Sequence, residues 1–351
     1  MSRIRRVMGS AAGAMDRALL AAMNVRRDKR SAQAEGLDHD ARIALLDSVA
    51  RTYGDPSLIS DPALFFPRGP AISPKLREVR SLVFDAQWPS AFEPFLPDVR
   101  DKYLAEIENR TARARLYLGR AGRPAVIAIH GYLGGQWLLE ERLWPIPWLL
   151  RRGLDVALPV LPFHALRGGE RTRPPRFPSS DPRFTNEGFR QAVIDIVGLA
   201  RWLRARGAPF VGVMGMSLGG YTSSLLATVS DEFDFVVPII PLASIADFAR
   251  EQGRLGAGDE VSAQHRALER ANWVVSPMAR PLRIPKSRAL VVAALYDRIT
   301  PRSHAERIAA HFDCAMVTTL GAHVIPFGRA EGFRSIASML EREGVLPSRS
   351  R

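Results

Sequence analysis

The feature that most constrains the fold is an apolar run at residues 210–214 that leads into Gly-Met-Ser-Leu-Gly-Gly at residues 215–220. A buried strand that passes through Gly-x-Ser-x-Gly into a helical pattern is typical of a nucleophile elbow, a tight turn that lifts a serine above the sheet edge. The glycines have a steric reason, because side chains at Gly215 and Gly219 would collide with neighbouring backbone in such a turn. The pattern therefore predicts a strand, a turn and a helix, with Ser217 as a candidate nucleophile.

Two backbone amides are candidate donors beside Ser217. The helix predicted after this serine points its first amides back at it, so Leu218 supplies one N–H group. A glycine-rich turn, His-Gly-Tyr-Leu-Gly-Gly at residues 130–135, follows another apolar run, and the amide of Tyr132 is the natural second donor. Donors in this arrangement stabilise negative charge that develops on a carbonyl oxygen. His130 is predicted to be a structural residue bonded within the loop rather than a base.

Apolar runs alternate with helical patterns over most of the chain. From residue 125 onward the runs have the continuous character of parallel strands that are covered on both faces. They lie at residues 126–129, 154–161, 210–214, 235–240, 289–295 and 316–320. Two further strands are predicted earlier, at residues 79–84 and 112–118, with a helix near residues 98–109 between them. The alternation predicts an α/β fold with a doubly wound, mostly parallel sheet, whose working residues gather at the carboxyl ends of the strands.

Two of these strand ends carry residues that fit acid–base chemistry. Asp297 stands on the loop after one late run, where a carboxylate can orient a histidine. His323 follows the last run, where a base can reach Ser217, although taken alone it also fits an ordinary surface-loop histidine. Asp247, beyond the run at residues 235–240, is the competing acid.

The order Ser217, Asp297, His323, with each residue at the end of its own strand, resembles that of the α/β-hydrolase superfamily. The resemblance covers residues 79–343. It rests on His130-Gly131, Gly215-Met216-Ser217-Leu218-Gly219-Gly220, Tyr296-Asp297 and Gly321-Ala322-His323. One departure from the family pattern is Ala322, where relatives often carry glycine. Alanine is small enough that the role implied for His323 is kept. The elbow and the stretch at residues 159–164 are also faintly similar to an uncharacterised abhydrolase-domain-containing branch.

The resemblance implies the α/β-hydrolase fold and two-step acyl transfer without a metal or an organic cofactor. Ser217 is then the nucleophile, His323 the general base and later the acid, and Asp297 the residue that orients His323. The amides of Tyr132 and Leu218 then form the oxyanion hole. The implied function is that of a serine hydrolase of the carboxylesterase or lipase type, which cleaves a carboxylic ester or a related acyl bond of a small molecule.

Candidate pocket residues lie on two of the loops at the strand ends. Trp137 stands near the oxyanion turn, and Phe163, His164 and Arg167 stand on the loop after the next strand. The aromatic side chains indicate a partly apolar acyl site, or else they are ordinary core packing. The stretch at residues 163–183 carries five arginines, which favour an anionic substrate such as a phospholipid if this loop faces the site.

Other functions are compatible with the same residues. A membrane lipid acyl hydrolase would combine the arginine-rich stretch with a basic N-terminal helix, and an acyltransferase would use the same triad with an alcohol in place of water. The alternative from another class is a hydrolase fold retained as a non-catalytic binding module, although such modules usually lack a catalytic residue. The sequence leaves these alternatives and the oligomeric state open.

The chain of 351 residues is long enough for one large domain with extensions. Residues 1–78 are predicted to form a helical and irregular extension. Within it, the connector at residues 54–74 is expected to pack over the core. Residues 79–345 are predicted to form the α/β domain, with a small cap-like insertion at about residues 244–287. Residues 346–351 are predicted to be a disordered tail.

The formal net charge of +13 raises the question of nucleic-acid or membrane binding. Only four of the 49 basic residues are lysines, and the scattered arginines indicate a compositional bias, so no nucleic-acid partner is expected. Residues 1–30 combine apolar positions at helical spacing with eight basic side chains, which predicts an amphipathic helix that packs on the domain or contacts a membrane surface. No apolar run is long enough to span a bilayer, and the single Cys314 excludes an intrachain disulfide. A cytoplasmic location, with peripheral membrane contact at most, is the expectation.

Overall fold

The computed structural model describes residues 16, 37–169, 174–324 and 328–347. Nine strands of these residues form a single sheet. They are β1 (Lys75–Arg80), β2 (Val83–Pro89), β3 (Thr111–Tyr117), β4 (Ala125–Ile129), β5 (Asp155–Pro159), β6 (Val211–Met216), β7 (Phe235–Ile239), β8 (Leu290–Ala294) and β9 (Ala315–Thr319). Across the sheet their order is β1-β2-β3-β5-β4-β6-β7-β8-β9.

The sheet divides into an antiparallel edge and a parallel core. Strands β1, β2, β3 and β5 pair in antiparallel fashion. Strands β5, β4, β6, β7, β8 and β9 pair in parallel. The carboxyl ends of the six parallel strands therefore meet at one edge of the sheet, where ligands bind in open α/β sheets. The predicted doubly wound, mostly parallel sheet is confirmed.

Helices cover both faces of the sheet. They are α1 (His39–Tyr53), α2 (Pro56–Ser60), α3 (Arg100–Leu104), α4 (Trp137–Leu143), α5 (Ile146–Arg151), α6 (Pro182–Ala205), α7 (Leu218–Val229), α8 (Ile245–Glu251), α9 (Glu260–Ala271), α10 (Arg302–Phe312) and α11 (Arg329–Arg342). Helices α6 and α7 pack on one face, and α5 and α11 pack on the other. Strand β4 shows the alternation, since Ile127 and Ile129 face the first layer whereas Val126 and Ala128 face the second.

Helix α6 is largely buried and ties the N-terminal extension to the core. Asp181 caps its first turn by accepting the Arg183 N–H at 3.0 Å, and proline occupies the first helical position, where its missing N–H costs nothing. Its buried Glu187 accepts the Tyr53 hydroxyl of α1 at 2.7 Å and the N–H of Leu96 at 3.0 Å. Since a buried carboxylate needs such partners, these bonds fix the extension to α6.

The extension also packs against the insertion between β7 and β8. Helix α1 lies against α9 of this insertion, and Arg270 pairs with Asp47 at 2.7 Å across the contact. The connector after α1 places Phe65 and Phe66 in the core. The connector at residues 54–74 therefore lies on the core, as predicted.

The predicted strand at residues 79–84 is wrong, because the turn of the β1–β2 hairpin falls inside it. Leu82 occupies this turn with a φ of 62°, so the apolar residues that suggested one strand belong to two. The sheet begins at Lys75, before the predicted domain start. At the other end Leu346 is buried, so core packing continues into the predicted tail.

Some predicted elements lie outside the described residues. They are the amphipathic helix at residues 1–30, except for Asp16, together with Arg171, Arg173 and residues 348–351. The predicted helix near residues 98–109 is shorter than expected, since α3 is flanked by 3-10 turns on both sides. Among the helices that the structure describes, none is both long and apolar enough to cross a bilayer.

Candidate active site

Ser217 stands at the turn between β6 and α7. Its backbone has φ 56° and ψ −114°, a combination that residues other than glycine rarely adopt and that costs about 1–3 kcal/mol. Neighbouring glycines make the turn possible, since a Cβ on Gly215 would overlap the carbonyl of Gly219, and a Cβ on Gly219 would overlap that of Ile129. The predicted steric need for both glycines is confirmed. The turn has the geometry of a nucleophile elbow.

The hydroxyl of Ser217 is not used to cap the helix that follows it. A serine at this position usually accepts an N–H of the first turn, but the side chain of Ser217 makes no such hydrogen bond to α7. Its backbone holds the turn instead, because its N–H donates to Ile239 and its carbonyl accepts the N–H of Tyr221, both at 3.0 Å. The half-buried side chain of Ser217 therefore does not stabilise the helix.

The turn after β4 lies against Ser217. A Cβ built on Gly131 would lie 3.5 Å from the Cβ of Ser217 and 3.4 Å from the carbonyl oxygen of Met216, which are ordinary contact distances, so the two turns are adjacent. Tyr132 follows directly, and Leu218 is the first residue of α7, whose first amides have no acceptor within the helix. The structure thus brings the segments that carry both predicted oxyanion donors next to Ser217.

Two buried side chains hold the turn after β4. The Nδ1 of His130 donates to the carbonyl of Gly131 at 2.7 Å, and its Nε2 accepts the N–H of Leu161 at 3.0 Å, which fixes one neutral tautomer. Burial lowers the pKa of His130 and keeps the ring uncharged. Glu140 accepts the N–H of Gly135 at 2.9 Å. His130 therefore has the bonds of a structural residue, as predicted.

Asp297 and His323 form a hydrogen-bonded pair after β8 and β9. The Nδ1 of His323 donates to the Oδ2 of Asp297 at 2.7 Å, which leaves Nε2 as the basic atom of the neutral ring. The side chain of Asp297 is fully buried, and its Oδ1 accepts the N–H groups of Ile299 and Thr300, each at 2.8 Å. In this arrangement a carboxylate can set the tautomer and the orientation of a base.

Thr300 contacts both members of this pair. Its hydroxyl oxygen lies 3.0 Å from the Oδ2 of Asp297 and 3.2 Å from the Nδ1 of His323. It also lies 3.0 Å from the carbonyl oxygen of Ile240, the residue that follows β7. Sequence reasoning missed Thr300, although a hydroxyl residue three positions after an aspartate is a usual partner of its carboxylate.

The elbow and the Asp297–His323 pair are joined through β7. Ile239 accepts the N–H of Ser217, and the next residue, Ile240, is bound to the hydroxyl of Thr300. Within the described residues the Ser217 hydroxyl and the His323 ring are not hydrogen-bonded to each other. Catalytic hydrogen bonds of this kind often tighten only in the complex with substrate.

The ring of His323 lies in a negative environment. Burial by itself disfavours the imidazolium, but the charge of Asp297, the hydrogen bond to it and the charge of Asp16 outweigh this effect, so the pKa of His323 is raised. A raised pKa makes Nε2 a stronger base.

A second carboxylate, that of Asp16, is buried behind His323. It accepts the backbone N–H groups of Arg298, His323 and Val324. Sequence reasoning missed this role, because Asp16 stands alone in a basic stretch and no local pattern connects it to a residue so distant along the chain.

The competing acid, Asp247, has other partners. Its carboxylate, near the start of α8, is bound by His265 at 2.8 Å, by Arg250 at 2.7 Å and by Arg307. The geometry therefore favours Asp297 as the partner of His323. No group of three or more His, Cys, Asp or Glu side chains in the part of the chain that the structure describes is placed to hold a metal ion.

Three of the four predicted pocket residues are engaged in packing. Phe163 is buried in the aromatic core, and Arg167 is buried in an ion pair with Asp195 at 2.9 Å. The guanidinium of Arg115 lies 4.4 Å from the ring centroid of Trp137. Arg167 therefore belongs to the interior rather than to a surface that an anionic substrate contacts.

His164 lies near the turn after β4. Its buried ring lies 5.9 Å from the ring of Tyr132 and 5.0 Å from that of His130, measured between centroids. Its Nδ1 donates to the carbonyl of Pro162 at 2.8 Å, and within the described residues its Nε2 has no partner. Burial holds the pKa of His164 well below its usual range, so the ring is neutral.

Backbone strain concentrates at the carboxyl edge of the sheet. Five non-glycine residues with positive φ follow the ends of β4, β5, β6 and β7: Leu133 at 68°, Phe163 at 59°, Ala165 at 42°, Ser217 at 56° and Ile240 at 44°. Two others lie elsewhere in the described chain. Because such strain collects at functional sites, it supports this edge as the site.

Sequence comparisons found two relatives and no matching family model. No protein-family model matches the chain. Two uncharacterized proteins, from two strains of Mycobacterium tuberculosis, are each 26% identical to it over 305 residues, which is 84% of this chain and 73% of each relative.

Solved structures show the same fold at low sequence identity. An acetyl xylan esterase from Paenibacillus sp. is 16% identical, with a TM-score of 0.55 over 81% of this chain and 95% of that protein. Acetyl xylan esterase 1 from Thermoanaerobacterium sp. is 17% identical, with a TM-score of 0.52 over 84% of this chain and 98% of that protein. At these identities the likeness shows the fold alone. The chain therefore has the fold of the α/β-hydrolase superfamily, as its sequence predicted.

Proposed function

We propose that this protein is a serine hydrolase that cleaves a carboxylic ester through an acyl-enzyme on Ser217. The observation that carries the proposal is a strained serine, free of capping, at the same sheet edge as the hydrogen-bonded pair of Asp297 and His323. A serine with a φ of 56° costs stability, and a nucleophilic role explains why the fold retains it.

The first half of the reaction transfers the acyl group to the protein. The Nε2 of His323 accepts the proton of Ser217 while its Oγ attacks the carbonyl carbon, and the amides of Tyr132 and Leu218 stabilise the oxyanion. His323 then gives this proton to the leaving alcohol as the ester C–O bond breaks. Asp297 stabilises the imidazolium between these two transfers.

Water completes the reaction. His323 removes a proton from water as the water oxygen attacks the acyl carbon, and it returns this proton to the Oγ of Ser217 as the bond to the serine breaks. The products are a carboxylic acid and an alcohol. An alcohol in place of water would give acyl transfer with the same residues, so transferase activity is the runner-up.

The arginine-rich stretch supports a neutral rather than an anionic substrate. The arginines of residues 163–183 that the structure describes each lie near a carboxylate, which compensates their charge. The pairs are Arg167 with Asp195, Arg176 with Glu106 and Arg183 with Asp181. A phospholipid headgroup would have to compete with these carboxylates.

Exposed apolar side chains after the strand ends support an apolar acyl group. Exposed aliphatic side chains lie on segments that follow the carboxyl ends of four strands: Leu133, Leu138, Leu139, Leu166, Leu295 and Val324. Burial of each CH₂ group of a substrate against such side chains contributes about 0.8 kcal/mol. Two proteins with this fold are acetyl xylan esterases by name, which supports ester cleavage as the class of reaction.

Hydrolysis of p-nitrophenyl esters tests the proposal. We expect the wild type to release nitrophenolate with saturation kinetics and Ser217→Ala to lose at least about 10⁴-fold in kcat, because alanine has no group that can form the acyl-enzyme. Ser60→Ala, at an exposed serine of α2, is the matched control and should keep the wild-type rate. A wild-type rate equal to that of Ser217→Ala would contradict the proposal.

A further inference from the structure

We propose that Asp16 is a positioning residue that holds the loops carrying Asp297 and His323 in a single arrangement. The proposal rests on the function proposed above, in which His323 is the general base.

One carboxylate binds both loops. The Oδ2 of Asp16 accepts the N–H of His323 at 2.9 Å and the N–H of Arg298 at 3.2 Å, and its Oδ1 accepts the N–H of Val324 at 3.0 Å. Because Arg298 directly follows Asp297, each member of the acid–histidine pair is tied to Asp16 through the backbone. Asp16 is fully buried, so bulk water does not compete for these bonds.

This placement differs from that of an ordinary cap. A capping carboxylate binds amides of one element, as Asp38 does when it accepts the N–H of Ala41 at 2.8 Å in the first turn of α1. Asp16 instead joins amides from the loops after two neighbouring strands, β8 and β9. Without it fewer bonds hold the loop of His323 to that of Asp297, and a misplacement of about 1 Å can cost about 10²-fold in rate.

Asp16 also acts on His323 through its charge. Burial lowers the pKa of His323, whereas Asp297, from the loop after β8, and Asp16 raise it. Removal of the charge of Asp16 is therefore expected to lower the pKa of His323. A substitution that only loosens packing far from the ring should leave the pKa of His323 unchanged. This pKa therefore distinguishes a positioning role of Asp16 from general stabilisation of the fold.

Three substitutions test the role in the full-length protein. Asp16→Asn removes the charge at nearly constant size, Asp16→Ala removes both acceptor oxygens and with them all three hydrogen bonds, and Asp16→Glu keeps the charge. We expect Asp16→Asn and Asp16→Ala to lose about 10-fold or more in kcat with a smaller change in KM, and the midpoint of their pH profile to move to lower pH. Asp16→Glu should keep the wild-type midpoint. If Asp16→Ala fails to fold, the other two variants carry the test.

Asp38→Asn is the matched control, because Asp38 also bonds a backbone amide near the start of the chain but lies at an exposed helix end. We expect it to keep the wild-type kcat and pH midpoint, even if it loses some stability.

A second readout does not depend on turnover. NMR titration of the His323 ring in Ser217→Ala gives its pKa directly, with the resonance assigned by its loss in His323→Gln. We expect a lower pKa when Asp16→Asn is added to Ser217→Ala. An inactive wild type would count against the proposed function, yet this titration would still test Asp16. Equal pKa values in the two proteins, or a kcat of Asp16→Asn equal to that of the wild type, would overturn the proposal.

Discussion

The Nδ1 of His323 lies 2.7 Å from the Oδ2 of Asp297, while the other carboxylate oxygen is bound by the amides of Ile299 and Thr300. These amides stop the buried carboxylate from rotating, so it presents one oxygen to the ring. The ring therefore has one tautomer, with Nε2 left to accept a proton.

Asp297→Asn tests the acid of the pair. Asparagine keeps the shape but removes the charge that stabilises the imidazolium, so we expect kcat to fall by about 10³–10⁴-fold with a small change in KM. Steady-state hydrolysis of a p-nitrophenyl ester measures this. Asp247→Asn is the matched control, since Asp247 is bound by Arg250, and it should leave kcat unchanged. A large loss in the control and none in Asp297→Asn would reverse the assignment of the acid.

The raised pKa of His323 sets the pH dependence. The ring accepts a proton only when it is neutral, so kcat/KM should rise with pH and level off above this pKa. Because Asp297 and Asp16 raise the pKa despite burial, the midpoint should lie above the ordinary histidine value of about 6.5. Rates measured across the range where the protein stays folded give this midpoint. A midpoint below the ordinary value would contradict the electrostatic account.

Gly219→Ala tests the packing of the elbow. A Cβ at this position overlaps the carbonyl of Ile129, so we expect the free energy of unfolding to fall by about 1–3 kcal/mol or more. Gly69→Ala is the control, because its Cβ would lie 3.4 Å from the side chain of Ile194, an ordinary contact. Urea unfolding measures both. Equal midpoints for the two variants would show that the elbow tolerates a side chain at Gly219.

Leu133→Asn tests the apolar acyl contact. Leu133 is exposed beside Tyr132 with a φ of 68°, a conformation that asparagine tolerates. Loss of its apolar surface should raise KM for a butyryl ester several-fold, at about 0.8 kcal/mol per CH₂ group, and raise it less for an acetyl ester. Leu82→Asn is the control, because Leu82 is also exposed at positive φ but lies in the β1–β2 turn. The same KM change for both esters would argue against an acyl contact at Leu133.

The parts of the fold that could be predicted from sequence have local causes. A continuous apolar run before Ser217, glycines that only a tight turn requires, and the order of Ser217, Asp297 and His323 all stand in the sequence itself. The doubly wound sheet follows from alternation of such runs with helical patterns. The β1–β2 hairpin could not be predicted, because its turn holds an apolar residue, Leu82, at positive φ. Apolar residues are typical of strands, so the sequence gives no sign of a turn there.

The parts that could not be predicted depend on contacts between distant residues. Asp16 accepts a hydrogen bond from the N–H of His323 although most of the chain separates the two residues. The sequence near either residue gives no sign of this contact. Arg167 looks like a ligand-binding cation in sequence, yet its partner Asp195 lies on the next helix along the chain and holds it in the interior. Burial and pairing of this kind are properties of the packed structure.

The most direct test of the central claim is labelling of the purified protein with a fluorophosphonate, read by intact mass. The account predicts one adduct on the wild type and on Ser60→Ala, none on Ser217→Ala, and strongly slowed labelling of His323→Ala, because only a serine activated by its base reacts with the probe. No adduct on a folded wild type would contradict an activated Ser217. An undiminished adduct on Ser217→Ala would place the reactive serine elsewhere.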